Sequence, residues 1–274
     1  DYFINYIDLS YFNSINNTFF NDYIFRYLIF KINDLYNFDY LIILKFFAFI
    51  TSSIVFFIFI QRVLQSNYSN YLLILFLMVF FAPNVFDLFA SGIRSGISFT
   101  TTLIAFVYLK GVFKIIVFLF SMWMHLSMIP VIGLYYLFYI INNRFVKSQV
   151  LISVLILLIY AAFINLATIT FYRIIESALS VRYELLIFYI SLIYLFLTKE
   201  TTKNLYGFIS IGLVFILLIG LVLDISFIRY LGYSIILYLL YLTQNNNVNA
   251  IKLSTLFYIP FFSLTLFYSI SNLL

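Results

Sequence analysis

Arginines, carboxylates and a single histidine, His125, are the residues of this chain that could act on a charged or hydroxylated ligand. The run Ser91-Gly92-Ile93-Arg94-Ser95-Gly96-Ile97-Ser98 carries the first arginine of the set, and Asp87 precedes it as a further ligand-side contact. Helical spacing puts Arg94, Ser98, Thr101, Thr102 and Ala105 on one face, and Gly92 with Gly96 lets another helix approach closely. Such a polar stripe on an apolar helix should face protein or water, although an arginine at a helix end can also snorkel. His125 can donate or accept a proton near neutral pH, which suits it to activating a hydroxyl; a hydrogen-bonded interfacial imidazole is the structural alternative. Arg173, Glu176, Arg182 and Glu184 crowd one short stretch. Guanidinium forks bind phosphate oxygens in pairs, and salt bridges among the four would account for them equally well. Arg229 follows Asp224, and Tyr233 shares its helical face at spacing i, i+4. The chemistry implied is recognition of phosphate or diphosphate beside a hydroxyl activated by His125, with Glu176 as the alternative base.

The elements that must hold these groups are apolar helices. Hydrophobic residues make up 65% of the chain and charged residues 9%, with a mean hydropathy of +1.10. A soluble domain of 274 residues needs more polar surface than that. The expected fold is all-α, a polytopic integral membrane protein of about 9–10 transmembrane helices. Apolar runs place the spans near 41–60, 70–83, 88–109, 112–126, 127–141, 148–170, 184–197, 205–223 and 226–243, with a tenth at 251–271. The second, fourth and seventh are short. Period-two alternation is absent, which argues for helices over a barrel. Arg94 lies 16 residues before Lys110, roughly 24 Å of helix, and His125 lies 11 after Lys114, roughly 16 Å. Antiparallel neighbours of those lengths, with axes about 8–10 Å apart, bring both side chains within reach of one ligand.

Charge alternates from loop to loop. Arg62, Lys110, Lys114, Arg144, Lys147, Lys199, Lys203 and Lys252 fall in one set, with Glu200 as its only acid, a balance of +7. The remainder holds seven basic residues and nine acids, a balance of −2. Short loops rich in Lys and Arg stay in the cytoplasm, so the first set is expected inside and every candidate for chemistry outside. Lysines dominate the inner set and arginines the outer, a choice that phosphate recognition explains. No basic patch on a soluble surface points to nucleic acid. One His and no Cys argue against structural zinc and exclude disulfides.

Residues 1–40 differ in kind. Asp1, Asp8, Asp22, Asp34 and Asp39 alternate with aromatics, and Asp22–Ile32 reads as an amphipathic helix lying at the interface rather than a span. Counting back from Arg62 puts this segment outside, and an upstream first span is expected to precede it. Residues 41–274 form the transmembrane domain, with an outer catalytic loop at 171–184.

Taken together, these residues resemble the EpsG-like branch of the Wzy-type polysaccharide polymerases. Ile93-Arg94-Ser95-Gly96-Ile97-Ser98, a lysine turn at 110–114, and Met124-His125-Leu126-Ser127 with Pro130 are similar to that family's I-R-Q-x-[IL]-A, basic turn and [FL]-H-x-[ST]. Arg229-Tyr230-Leu231-Gly232-Tyr233 looks like its R-x-x-x-Y, and Asp1-Tyr2-Phe3-Ile4-Asn5-Tyr6 like its D-x-x-x-Y. Ser95 and Ser98 stand where Gln and Ala are usual. The resemblance implies a glycosyltransferase that polymerises undecaprenyl-diphosphate-linked oligosaccharide repeat units (O-antigen, capsule or exopolysaccharide) on the outer face of the bacterial cytoplasmic membrane. Its partners would be the lipid-linked donor and acceptor, membrane lipid and a chain-length regulator protein; neither nucleic acid nor a cofactor is expected. Arg94 and Arg229 would bind the diphosphate with help from Arg173 or Arg182, Tyr233 and Asp87 would line the ligand, and His125 or Glu176 would serve the acceptor hydroxyl. An O-antigen ligase, a membrane O-acyltransferase and a glycan flippase are the rival readings.

Overall fold

The computed structural model describes residues 23–36, 38, 40–66, 69–80, 89, 93–144, 149–172, 202–223 and 228–244. The fold is all-helical, and among the described residues there is no strand. In chain order the helices are α1 Tyr23–Tyr36, α2 Tyr40–Leu64, α3 Ser69–Phe80, α4 Ile93–Tyr108, α5 Gly111–Met124, α6 Met128–Arg144, α7 Gln149–Tyr172, α8 Leu205–Val222 and α9 Ile228–Gln244. Helices stand at eight of the ten expected positions; 184–197 and 251–271 lie outside the described residues. Among the described residues one helix, Leu41–Leu64, is long and apolar enough by length and composition to cross a membrane. Gly111–Met124, Met128–Asn142, Ser153–Ala167 and Leu205–Gly220 are shorter apolar stretches.

The chain divides into two compact units, Asp1–Phe56 with Leu88–Ile129, and Phe57–Asp87 with Pro130–Leu274. In the first, α4 and α5 pair as a hairpin. The turn needs a left-handed residue after Lys110, and Gly111 supplies it at φ +58°. The rings of Phe106 and Phe118 then meet edge to face, with centroids 5.5 Å apart. At the opposite end of the hairpin Ile93 and Ile97 of α4 and Met124 of α5 join Phe25 and Ile29 of α1 and Ile43 and Leu44 of α2 in one buried cluster.

α1 has the amphipathic pattern expected of it. Its apolar face is not left to a membrane interface, because Phe25 and Ile29, one turn apart, are buried in that cluster. Lys31 and Asp34 form an exposed ion pair on another face. Asn33 Nδ2 donates to the Phe38 carbonyl, and Tyr36 stacks on Phe38, which shapes the link into α2.

In the second unit α8 and α9 form an antiparallel pair. Asn204 caps α8 by accepting from the Tyr206 N–H at 3.0 Å, and its Nδ2 donates to Gln244 Oε1 at the end of α9. Deeper in, Ser210 Oγ donates to the Ser234 carbonyl at 2.8 Å and Ser234 Oγ returns a bond to the Ser210 carbonyl at 3.0 Å. Asn165 of α7, fully buried, donates to the Ala161 and Ile216 carbonyls and so ties α7 to α8. Pro130 falls in the first turn of α6, where a missing N–H costs least, and its carbonyl accepts from Tyr160 Oη.

Gly133 shows how close α6 and α7 run. A Cβ there would lie 3.0 Å from Tyr160 Cζ and closer still to the hydroxyl. Gly133→Ala is therefore expected to expel the Tyr160 ring, break its bond to Pro130, and lower stability by about 2–3 kcal/mol. Thermal unfolding in detergent checks this, and Gly133→Ala combined with Tyr160→Phe should recover much of the loss, because the hydroxyl is the atom nearest the new Cβ and the ring carbon behind it stands at 3.0 Å.

Candidate functional site

Arg94 and His125 share the first unit, and hydrogen bonding sets their relative height. Ser98 Oγ donates to the Ser121 carbonyl at 2.9 Å, and Ser121 Oγ donates back to the Ser98 carbonyl. The hydroxyls of Thr102 and Ser121 touch, and Thr102 Oγ1 also reaches the Ser98 carbonyl at 2.9 Å. Ser98, Thr102 and Ser121 are all buried, so these bonds form away from competing water. Ser98 and Thr102 of the α4 stripe thus face protein, where they meet Ser121 of α5.

This clasp fixes the register of two antiparallel helices. Arg94 lies four residues before Ser98 and His125 four after Ser121, so each sits one turn, about 6 Å, beyond the clasp toward the same end. The residue counts already place the two side chains at similar depth; the serine pairing specifies the register that does so. Both side chains are partly exposed.

His125 ends α5. Its backbone is extended at φ −158° and ψ 121°, and its N–H still donates to the Ser121 carbonyl at 3.1 Å. That carbonyl therefore serves both the clasp and the helix end. The chain turns at once into α6, with the Met128 N–H donating to the His125 carbonyl. Nδ1 of His125 accepts from the Ser127 N–H at 3.0 Å. A nitrogen that accepts carries no proton, so the neutral ring holds its proton on Nε2 and is a donor there.

Lys45 escaped the sequence reading as a member of this group. It is exposed on α2 next to Ile43 and Leu44, which belong to the cluster containing Ile93 and Met124. A second cation therefore marks the end of the first unit that bears Arg94. Counting helical rise back from Arg62 could have found it, since 17 residues span roughly 26 Å of α2.

Of the other candidates, two belong to the second unit and the rest lie outside the described residues. Tyr233 is on α9 in the second unit, fully buried, with its ring 5.8 Å from that of Tyr230. Arg229 stands in the first turn of the same helix. Asp87, Arg173, Glu176 and Arg182, with Glu184 and Asp224, lie outside the described residues, as does the N-terminal Asp1–Tyr6 stretch. No family model, curated protein or solved structure matches the chain.

Proposed function

We propose that this chain is a polytopic membrane glycosyltransferase of the EpsG-like, Wzy-type kind. It would join undecaprenyl-diphosphate-linked repeat units on the outer face of the bacterial cytoplasmic membrane. One observation carries the reading: the Ser98–Ser121 clasp sets a guanidinium and an imidazole level at the end of one hairpin. Support for a lipid surrounding comes from the exposed surface, where Phe46, Phe49 and Phe57 of α2 and Val112, Phe113 and Ile116 of α5 stand outward. Water would not tolerate an apolar surface of that extent on a monomer. The positive-inside argument assigns the Arg94 end to the outside.

In the reaction the bond between the anomeric carbon and the diphosphate oxygen breaks, and the diphosphate leaves with the electron pair on its lipid. The acceptor hydroxyl oxygen forms the new glycosidic bond and gives its proton to a base. Arg94 neutralises charge developing on the diphosphate. His125, with its proton on Nε2, hydrogen-bonds and orients a sugar hydroxyl or phosphate oxygen, and Glu176 is the base. The phosphate-binding roles expected of Arg173, Arg182 and Arg229 are tested by alanine substitution.

The two roles for His125 separate experimentally. Glutamine keeps a donor near the Nε2 position and cannot serve as a base, so under the orienting role His125→Gln should retain activity within about tenfold, while His125→Ala loses about a hundredfold or more. Equal losses in both variants would return the base role to His125. The broader test is a deletion strain read for glycan chain length on a gel. Single repeat units accumulating on the outer leaflet support a polymerase; repeat units held inside point to a flippase, and full-length glycan that is not transferred to its final acceptor points to a ligase.

A further inference from the structure

Two helices of the first unit are shorter than a bilayer between their polar ends. On α4 Arg94 precedes Lys110 by 16 residues, roughly 24 Å. α5 has 14 residues between the extended backbones of Lys110 and His125, roughly 21 Å. A bilayer hydrocarbon core is about 30 Å thick, so the shortfall is about 6–9 Å on both.

The shortfall belongs to one end. Lys110 anchors the α4–α5 turn, with Tyr108 exposed beside it. At the far end Lys45 flanks residues of the cluster that Ile93 and Met124 share, so Lys45, Arg94 and His125 occur together there. A long lysine or arginine recovers a few ångströms by snorkelling. His125 cannot, because imidazole is short. Two residues before it Trp123 is 49% exposed, and tryptophan favours the boundary between hydrocarbon and headgroups. α1 packs its Phe25–Ile29 face against the same end and carries the exposed Lys31–Asp34 pair on another. α1 is thus held against protein at that level and turns outward a charged face that suits the headgroup layer.

We propose that the bilayer is thinned around the Arg94–His125 end, with α1 lying in the depression, so that lipid phosphates stand level with Arg94. This rests on the membrane reading above and extends it, because a phosphate carried on a lipid then meets Arg94 without leaving the headgroup layer. The partner of this surface is a lipid annulus thinner than about 30 Å.

The chain has a single tryptophan, so the native protein reports the level of Trp123 without substitution. The full chain is reconstituted in vesicles of phosphatidylcholine brominated either near the headgroup or near the chain ends, and its fluorescence quenching is compared. Headgroup-proximal bromine should quench about twofold more strongly. In unbrominated vesicles of graded chain length the thermal unfolding midpoint should be highest in the thinner bilayers. Stronger quenching by chain-end bromine, or a midpoint that rises toward thicker bilayers, overturns the proposal and leaves the membrane reading standing. No quenching by either lipid overturns both.

Discussion

Arg94→Ala is expected to abolish polymer in cells and to lower transfer from a lipid-diphosphate donor by about 10²–10³ in kcat, or about 2.7–4 kcal/mol. The cause is local. Arg94 is the guanidinium that the clasp holds level with His125, and on the proposed mechanism removing it would leave the departing diphosphate without a fork to bind both oxygens. Arg94→Lys keeps the charge and loses the paired geometry, so it should recover part of the rate and little of the selectivity for diphosphate over monophosphate. Measured rates with purified protein and lipid-linked donor check both. Full activity in Arg94→Ala would sink the central assignment, whatever His125 does.

The second large effect concerns residues that touch no ligand. Replacing Ser98 and Ser121 together by alanine removes both arms of the clasp. Hydrogen bonds between apolar helices average about 0.6 kcal/mol and reach about 1.7, so stability should fall by about 1–3 kcal/mol. Turnover should fall further, about 10–100-fold, because a shift near 1 Å between reacting groups costs up to about 10² in rate. Each serine serves the other's carbonyl, so the single substitutions should be non-additive in a double-mutant cycle. Ser121→Thr keeps the hydroxyl and should behave nearly as the parent. If unfolding moves and turnover does not, the clasp only holds the helices together.

The origin of the clasp is partly legible in the sequence. The face bearing Ser98, Thr101 and Thr102 follows from a spacing of 3.6, and such a face must turn toward protein or water. Which partner it meets does not follow. Ser121 sits in the apolar run Ile115–Trp123 with no periodic signal to set it apart, and its value comes only from the register in which α5 packs. Asn165 is the same case in the second unit, a lone polar residue in an apolar helix that binds a backbone carbonyl of α8. Helical rise places Arg94 and His125 at similar depth and goes no further, because the rule counts residues and cannot see which carbonyl each serine meets.

α1 illustrates the other limit. Its apolar and polar faces were evident from the pattern, and the pattern is the same whether the apolar face meets lipid or protein. The buried Phe25 and Ile29 decide for protein contact, since a cluster formed by Ile43, Ile93, Ile97 and Met124 is available at that end. Tyr233 shares a helical face with Arg229 by spacing, yet spacing could not tell that its ring is wholly enclosed.

By itself the sequence determined the all-helical class, eight of the ten expected helix positions and the residue types at the end that bears Arg94 and His125. Apolar run length, turn residues and charge are local properties that one chain carries in its order. Tertiary structure alone decided that Ser98 faces Ser121 and that α1 packs its Phe25–Ile29 face beside Ile93 and Met124. Those outcomes depend on how side chains from distant segments fit one another, and only packing selects among the registers that the sequence pattern permits.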